Sequence, residues 1–123
     1  KSITGDHAIY IHGGTLGNLP TTDPDANTAG YTTENQRYLH LYWKAEQTNK
    51  THEITVFGYN YSTNTWSILV DSSGSEVKLS TTNQSVNLYK VFEISGIDKV
   101  YFKSTGADAL LETDLLAAAC STF

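Results

Sequence analysis

The stretch RYLHLYWK-AEQTNKTH-EITVFGYNY-STN-TWSILV, residues 37–70, decides the fold class of this chain. Apolar and aromatic side chains alternate with other residues at a period of two in the runs 37–44, 53–61 and 65–70, as in β-strands that have one buried face. Polar, turn-forming residues separate the runs. The stretch therefore predicts three consecutive antiparallel strands.

Directly opposed residues on antiparallel strands share a face, so one register assigns both faces of this predicted sheet. Pairing Lys44 with Glu53 across the first hairpin gives a core face. Its members are Leu39, Leu41, Trp43, Ile54, Val56 and Gly58, followed by Ile68 and Val70 after a three-residue turn at 62–64. Gly58 would leave room in this row for two large neighbours.

The opposite face of the predicted sheet is also apolar, although a half-solvated sheet would carry polar residues there. Its members are Tyr38, His40, Tyr42, Phe57, Tyr59, Tyr61 and Leu69. A second sheet or a long loop could cover this face, another subunit could bind it, or a sugar or other flat ligand could stack on it. We take these residues except Leu69, together with Trp66, as candidate interface or ligand-stacking residues.

The remaining runs complete an all-β architecture. Residues 6–11, 76–80, 86–94 and 97–103 predict further strands, with a β-bulge near Lys90 where the alternation slips. Short strands joined by polar turns are typical of one small antiparallel β-sandwich or barrel, jelly-roll or immunoglobulin-like, over residues 1–123.

Two segments depart from this pattern. Residues 12–36 are rich in Gly, Thr, Asn, Asp and Pro, and their only large apolar side chains are Leu16, Leu19 and Tyr31. We expect an extended loop or arm that these three residues anchor to a surface. Residues 107–123 contain good helix formers, which predicts a C-terminal arm or a short helix, although a final strand starting at Leu110 is an alternative.

Composition excludes some classes of partner. The 123 residues carry a net charge of −5 with only eight Lys and Arg, so we expect no nucleic-acid binding. No apolar run approaches the roughly 18 residues of a membrane span, and we expect no membrane partner. Cys120 is the only cysteine, which excludes an intrachain disulfide. Because no Met is present, we expect a chain that begins after processing, that has been trimmed, or whose first residue is missing from the numbering.

The best metal candidate is the set Asp23, Asp25, Asn27 and Glu34, whose oxygens follow the spacing of a calcium loop. Thr28 stands where such a loop needs Gly, so an ordinary Asx-turn is the alternative. The four histidines share no zinc-binding spacing. Glu112 and Asp114 are two residues apart, but such pairs in tails are usually solvated charges. With no nucleophile or phosphate-loop motif either, we expect no metal, no cofactor and no enzymatic activity.

Residues 59–80 (YNYSTNTWSILVDSSGSEVKLS) resemble the small all-β accessory proteins of tailed bacteriophage virions, such as capsid decoration and cement proteins. Residues 97–105 are similar in character. The resemblance implies a β-sandwich at the virion surface that forms homo-oligomers, often trimers, and clamps the major capsid protein or other virion subunits.

Two other functions fit the residues. In a carbohydrate-binding, lectin-like module, Tyr38, Tyr42, Tyr59 and Trp66 would stack on sugar rings. A tail-fibre or pilus-like adhesion domain would share features of both functions. Either alternative would place the protein outside the cell.

Overall fold

The computed structural model describes residues 6–13, 19–45, 51–82, 86–105 and 115–122. Nine strands lie in these ranges: β1 (Asp6–Gly13), β2 (Tyr31–Thr32), β3 (Tyr38–Ala45), β4 (Thr51–Asn60), β5 (Thr65–Ile68), β6 (Lys78–Thr82), β7 (Val86–Glu93), β8 (Lys99–Thr105) and β9 (Leu115–Ser121). Within the same ranges no helix is long and apolar enough to cross a membrane.

The strands form two antiparallel sheets. Sheet A has the order β1-β9-β3-β7, and sheet B has the order β2-β8-β4-β5, with β6 also paired to β4. β4 is long enough for β6 and β5 to pair with successive parts of one of its edges, while β8 pairs along the other. Buried residues of both sheets form one hydrophobic cluster between them. The predicted all-β sandwich is confirmed.

The predicted hairpin between residues 37–44 and 53–61 is wrong. β3 pairs with β7 and β9 in sheet A, whereas β4 pairs with β5, β6 and β8 in sheet B. The predicted core face nevertheless contains the right residues of these strands, because Leu41 and Trp43 of β3 are buried in the same cluster as Ile54 and Val56 of β4. They meet across the two layers and not as cross-strand neighbours.

The hairpin between β4 and β5 exists, but with a different register from the predicted one. Its loop has four residues, 61–64, because Asn60 pairs with Thr65, and Asn64 adopts a left-handed φ of 53°. Since a one-residue shift reverses the faces of a strand, Leu69 is in the core and Val70 is exposed. Their predicted faces were therefore wrong. Ile68 is also misassigned, because it pairs with Phe57 on the outer side.

Two more details of sheet A differ from the predictions. β7 pairs with β3 without a register shift from Ala45–Val86 to Tyr38–Glu93, so no bulge occurs at Lys90. The sheet's irregularity lies in β1, between Ala8 and Tyr10. Residues 115–121, predicted as part of an arm or short helix with a final strand as the alternative, form the strand β9, which lies between β1 and β3.

The segment predicted as a loop over 12–36 contains parts of two strands, since β1 extends to Gly13 and β2 pairs with β8. Leu19 is buried in the core cluster. The next residue, Pro20, accepts a hydrogen bond at its carbonyl oxygen from the Ser104 N–H of β8 at 2.8 Å. The chain therefore enters the edge of sheet B at Leu19. Leu16 lies outside the described residues.

Candidate functional site

The aromatic residues predicted to form one continuous patch lie on two opposite faces of the sandwich. Alternation along β3 turns Tyr38, His40 and Tyr42 away from the core, on the outer face of sheet A. Alternation along β4 likewise turns Phe57 and Tyr59 to the outer face of sheet B. A continuous patch was therefore a wrong interpretation, and it failed because it assumed that β3 and β4 pair.

On sheet A the aromatic side of β3 continues onto β7. Tyr42 lies opposite Tyr89, and His40 lies opposite Val91. Tyr89 and Val91 are 59% and 46% exposed. We call the outer-facing residues Tyr38, His40, Tyr42, Tyr89 and Val91 the β3–β7 surface.

The other neighbour of β3 carries much smaller side chains. Ala117 and Ala119 of β9 lie opposite Tyr42 and His40. Because alanines project little from a sheet, the aromatic row of β3 stands beside a shallow row of small residues. The described outer side of β3, β7 and β9 is thus apolar along β3 and β7 and uneven in height.

His40 links this surface to the sheet beneath it. Its Nδ1 lies 2.5 Å from the Tyr89 hydroxyl, and its Nε2 lies 2.6 Å from Oγ of Ser121. The His40 and Tyr89 rings are stacked with centroids 6.0 Å apart. Although Ser121 and His40 are nucleophile and base types, Ser121 is fully buried and no substrate can reach its Oγ. The contacts therefore orient Tyr89.

A polar group borders the β3–β7 surface. The Arg37 guanidinium donates two hydrogen bonds to Oε2 of Glu93, at 3.0 and 3.1 Å, and its Cζ lies 5.2 Å from the Tyr38 ring centroid. Both charged side chains are more than half exposed, so this ion pair contributes little to stability. It gives the apolar surface a polar rim.

The outer face of sheet B carries a second aromatic group, which we call the aromatic ladder. Its successive rings are Tyr61, Tyr59, Trp66, Tyr101 and Phe57, with centroids 5.5, 5.0, 5.9 and 6.1 Å apart. Each pair is tilted or edge-on, which is the arrangement that ring quadrupoles favour. Packing inside the monomer thus accounts for most of these rings.

Residues 20–30 lie against the part of the ladder that contains Trp66 and Tyr101. The Tyr101 hydroxyl donates to the Thr22 carbonyl oxygen at 2.8 Å, and Nε1 of Trp66 donates to that of Asp25 at 3.1 Å. On the inner side of β8, Tyr31 packs on the ring of the core residue Phe102, and burial raises the pKa of the Tyr31 phenol. Among the residues that the structure describes, the end of the ladder at Tyr61 is open, since Tyr61 is 57% exposed.

The calcium candidate is not assembled in the structure. The Asp23 carboxylate accepts a hydrogen bond from Nζ of Lys103 at 2.6 Å, and Oδ1 of Asp25 accepts from the Asn27 N–H at 2.9 Å in an Asx-turn. Within the described ranges no group of three or more His, Cys, Asp or Glu side chains is placed to hold a metal ion. Asp23 and Asp25 thus have local structural partners, and Glu34 lies in the turn after β2, with a φ of 52°.

Cys120 faces the core and is fully buried. Burial, together with the negative charge of Glu34, raises the pKa of its thiol to about 11. The thiolate, which is the reactive form, is therefore scarce at neutral pH, and Cys120 acts as a small apolar residue.

Sequence reasoning missed three residues at these surfaces. They are Tyr89 and Val91 of the β3–β7 surface and Lys99, whose Nζ lies 4.7 Å from the ring centroid of Tyr59 in the aromatic ladder. The signal for the first two was present, because Tyr89 and Val91 alternate with Lys90 and Phe92 along β7. It was obscured by the assumption that every apolar residue of that strand must face inward, which required a bulge.

No protein-family model, no curated protein and no solved structure matches this chain significantly. The resemblance to virion accessory proteins therefore stays a prediction.

Proposed function

We propose that this protein is a non-enzymatic structural module of a virion, a capsid cement or decoration protein that binds neighbouring shell subunits through the β3–β7 surface. The observation that carries the proposal is the apolar row on the outside of sheet A, in which the exposed Tyr89 and Val91 lie beside the half-buried Tyr42. Contiguous exposed apolar groups on a soluble domain mark sites of interaction. Tyrosines are also enriched among the residues that dominate binding energies.

The contacts of His40 support a binding role because they restrict the Tyr89 side chain before a partner binds, so that association costs less conformational entropy. A tyrosine that is more than half exposed would normally sample several rotamers, but the Tyr89 hydroxyl is held by His40, which is itself bonded to the buried Ser121. Preorganised side chains lose less freedom when a partner binds.

The arrangement of polarity also fits a protein partner. Arg37 and Glu93 lie at one end of the apolar row, so the surface has an apolar centre and a charged border. Protein interfaces have the same organisation, and a standard one buries about 800 Å² on each partner. Under this proposal the chain is a homo-oligomer, with a trimer favoured, at the surface of the virion, and its partner is the major capsid protein or another virion subunit.

Mass spectrometry and electron cryomicroscopy of purified virus particles test this proposal. Particles that encode this chain should contain it, and density for the sandwich should contact shell subunits through β3 and β7. Recombinant Tyr89→Ser should bind chain-free particles at least tenfold more weakly than the wild type. Tyr61→Ser, which changes a tyrosine of nearly equal exposure on the opposite face, is the matched control and should bind normally. Absence of the chain from the particles, or normal binding by Tyr89→Ser, would contradict the proposal.

A further inference from the structure

At the open end of the aromatic ladder, aromatic rings lie beside charged side chains that take no part in the proposed shell contact. Tyr61 meets Tyr59 edge-on, at an interplanar angle of 79°, where the β4–β5 loop approaches the start of β8. Asp98 and Lys99 lie beside these two rings. We call these four residues, together with Asn64, the Asp98 corner.

Asp98 holds this corner in place through both its main chain and its side chain. Its Oδ2 accepts a hydrogen bond from the Tyr61 N–H at 2.7 Å, and its own N–H donates to the Tyr59 carbonyl oxygen at 2.8 Å. The Tyr59 hydroxyl donates to Oδ1 of Asn64 at 3.2 Å. The loop that presents the exposed Tyr61 ring is therefore fixed at several points.

The corner also presents a cation beside its rings. Nζ of Lys99 lies 4.7 Å from the Tyr59 centroid and 5.3 Å from the Tyr61 centroid, within cation–π distance of both. An ammonium held by ring faces keeps N–H groups available to a ligand, since a ring accepts no conventional hydrogen bond. Lys99 thus supplies donors next to an exposed ring.

A polar cavity adjoins the corner. It has a volume of about 250 Å³ and lies between the turn that precedes β3 and the turn that precedes β8. Asn35, Arg37, Ser95 and Asp98 are among its lining residues, together with Ile97. Asn35 adopts a φ of 60°, a left-handed value that asparagine tolerates in turns. Asp98 belongs to both the cavity and the corner.

We propose that the Asp98 corner and the adjoining cavity bind a neutral pyranose sugar. A pyranose has an apolar face of C–H groups, which packs on an aromatic ring, and a periphery of hydroxyls, which both donate and accept hydrogen bonds. Tyr61 supplies the exposed ring, Lys99 and Arg37 supply donors, and Asp98 supplies an acceptor. Few, convergent polar groups beside an apolar surface are the usual composition of a small-molecule site.

The same features argue against a protein partner at this position. The β3–β7 surface is a row of apolar groups with a polar border, as protein interfaces require. At the Asp98 corner a single exposed ring is surrounded by side chains that donate or accept hydrogen bonds. One ring offers little apolar area to a protein, but it matches the face of one sugar residue.

Calorimetric titration with a panel of neutral oligosaccharides built from glucose, galactose and N-acetylglucosamine tests this inference. At least one of them should bind saturably, and the emission of Trp66, whose ring lies 5.0 Å from that of Tyr59, should change in parallel. Tyr61→Ala should weaken binding at least tenfold, whereas Tyr61→Phe, which keeps the ring, should retain most of the affinity. Asp98→Asn keeps an acceptor for the Tyr61 N–H and should weaken binding by removing the charge.

Tyr89→Ala is the matched control, because Tyr89 and Tyr61 are about equally exposed on opposite faces of the sandwich. It should leave sugar binding unchanged, just as a change at Tyr61 should leave particle binding unchanged. A panel in which no neutral saccharide binds at millimolar concentration, or a folded Tyr61→Ala variant with wild-type affinity, would overturn the sugar site and leave the shell proposal intact.

Discussion

The side chain of Ile97 lies directly over the backbone of Gly58. A Cβ atom added at residue 58 would stand 3.0 Å from Cγ2 of Ile97 and 3.2 Å from its Cδ1. Ile97 comes from the turn between β7 and β8 and packs against the core, so Gly58 is the position at which this turn can close onto sheet B. The sequence predicted that Gly58 makes room for large neighbours, but not that Ile97 is one of them.

Gly58→Ala should therefore destabilise the protein by about 1–3 kcal/mol, the usual cost of overpacking a filled core. Urea unfolding followed by tryptophan fluorescence measures the change. In an Ile97→Ala background the same substitution should cost less, because both crowded carbon atoms are gone. Equal costs in the two backgrounds would show that Ile97 does not occupy this space.

A second substitution tests how residues 20–30 cover the aromatic ladder. Gly30 has a φ of +63°, and a Cβ there would lie 2.7 Å from Cη2 of Trp66 and 3.1 Å from the Val100 carbonyl oxygen. Gly30→Ala should shift the Trp66 emission and cost more than the roughly 1–2 kcal/mol of a left-handed alanine. Gly74→Ala is the control, because Gly74 has a φ of +86° with no atom within 4 Å of the added Cβ. Similar costs for the two variants would argue against close packing on Trp66.

The buried thiol of Cys120 predicts a dependence of stability on alkaline pH. Its pKa in the folded protein, about 11, lies above the value of roughly 8.5 expected in the unfolded chain. Because its pKa is raised, the thiol of the folded protein stays protonated to a higher pH than that of the unfolded chain. The contribution of this buried thiol to the free energy of unfolding is therefore complete below about pH 8.5 and is lost as pH rises toward 11. The free energy of unfolding should fall more steeply in this range for the wild type than for Cys120→Ala. Parallel pH profiles would contradict burial of the thiol.

We expect Lys90 to prevent the exposed edge of sheet A from pairing with strands of other molecules. β7 lies at the edge of this sheet in the described topology, and Lys90 pairs with Leu41 on the same side of the strand as Phe92. An inward-facing charge on an edge strand discourages pairing with another sheet. Lys90→Ile should therefore increase aggregation, measured by light scattering during storage at high concentration. Lys90→Glu, which keeps a charge, should remain dispersed, and equal aggregation of both variants would show that the charge is not responsible.

The inward faces of β3 and β4 could be predicted from the sequence, whereas the pairing of β3 with other strands could not. Leu41 and Val56 each alternate with outward residues, and this pattern is the same whether two strands are neighbours in one sheet or lie in two packed layers. Consecutive strands pair in most folds, which favoured a hairpin. β3 pairs instead with β7 and β9, which are distant from it in sequence, and no local pattern indicates this pairing.

Some residues of the candidate sites were predicted from the sequence, but their arrangement was not. Tyr42 and Tyr59 were both identified by their outward alternation, yet they lie on opposite faces because β3 and β4 belong to different sheets. The contact between Lys99 and the Tyr61 ring depends on the four-residue β4–β5 loop and on Asp98. No local pattern indicates that residues 61 and 98 meet.

The central position of β9 has a consequence for synthesis on the ribosome. β1 joins sheet A only through β9, and Asp6 pairs with Ser121, so the first described strand has to wait for the last. At roughly 5–20 residues per second, translation makes β9 several seconds after β1. Throughout that interval β1 has no partner in sheet A, and the edge of β3 that β9 later occupies stays unpaired.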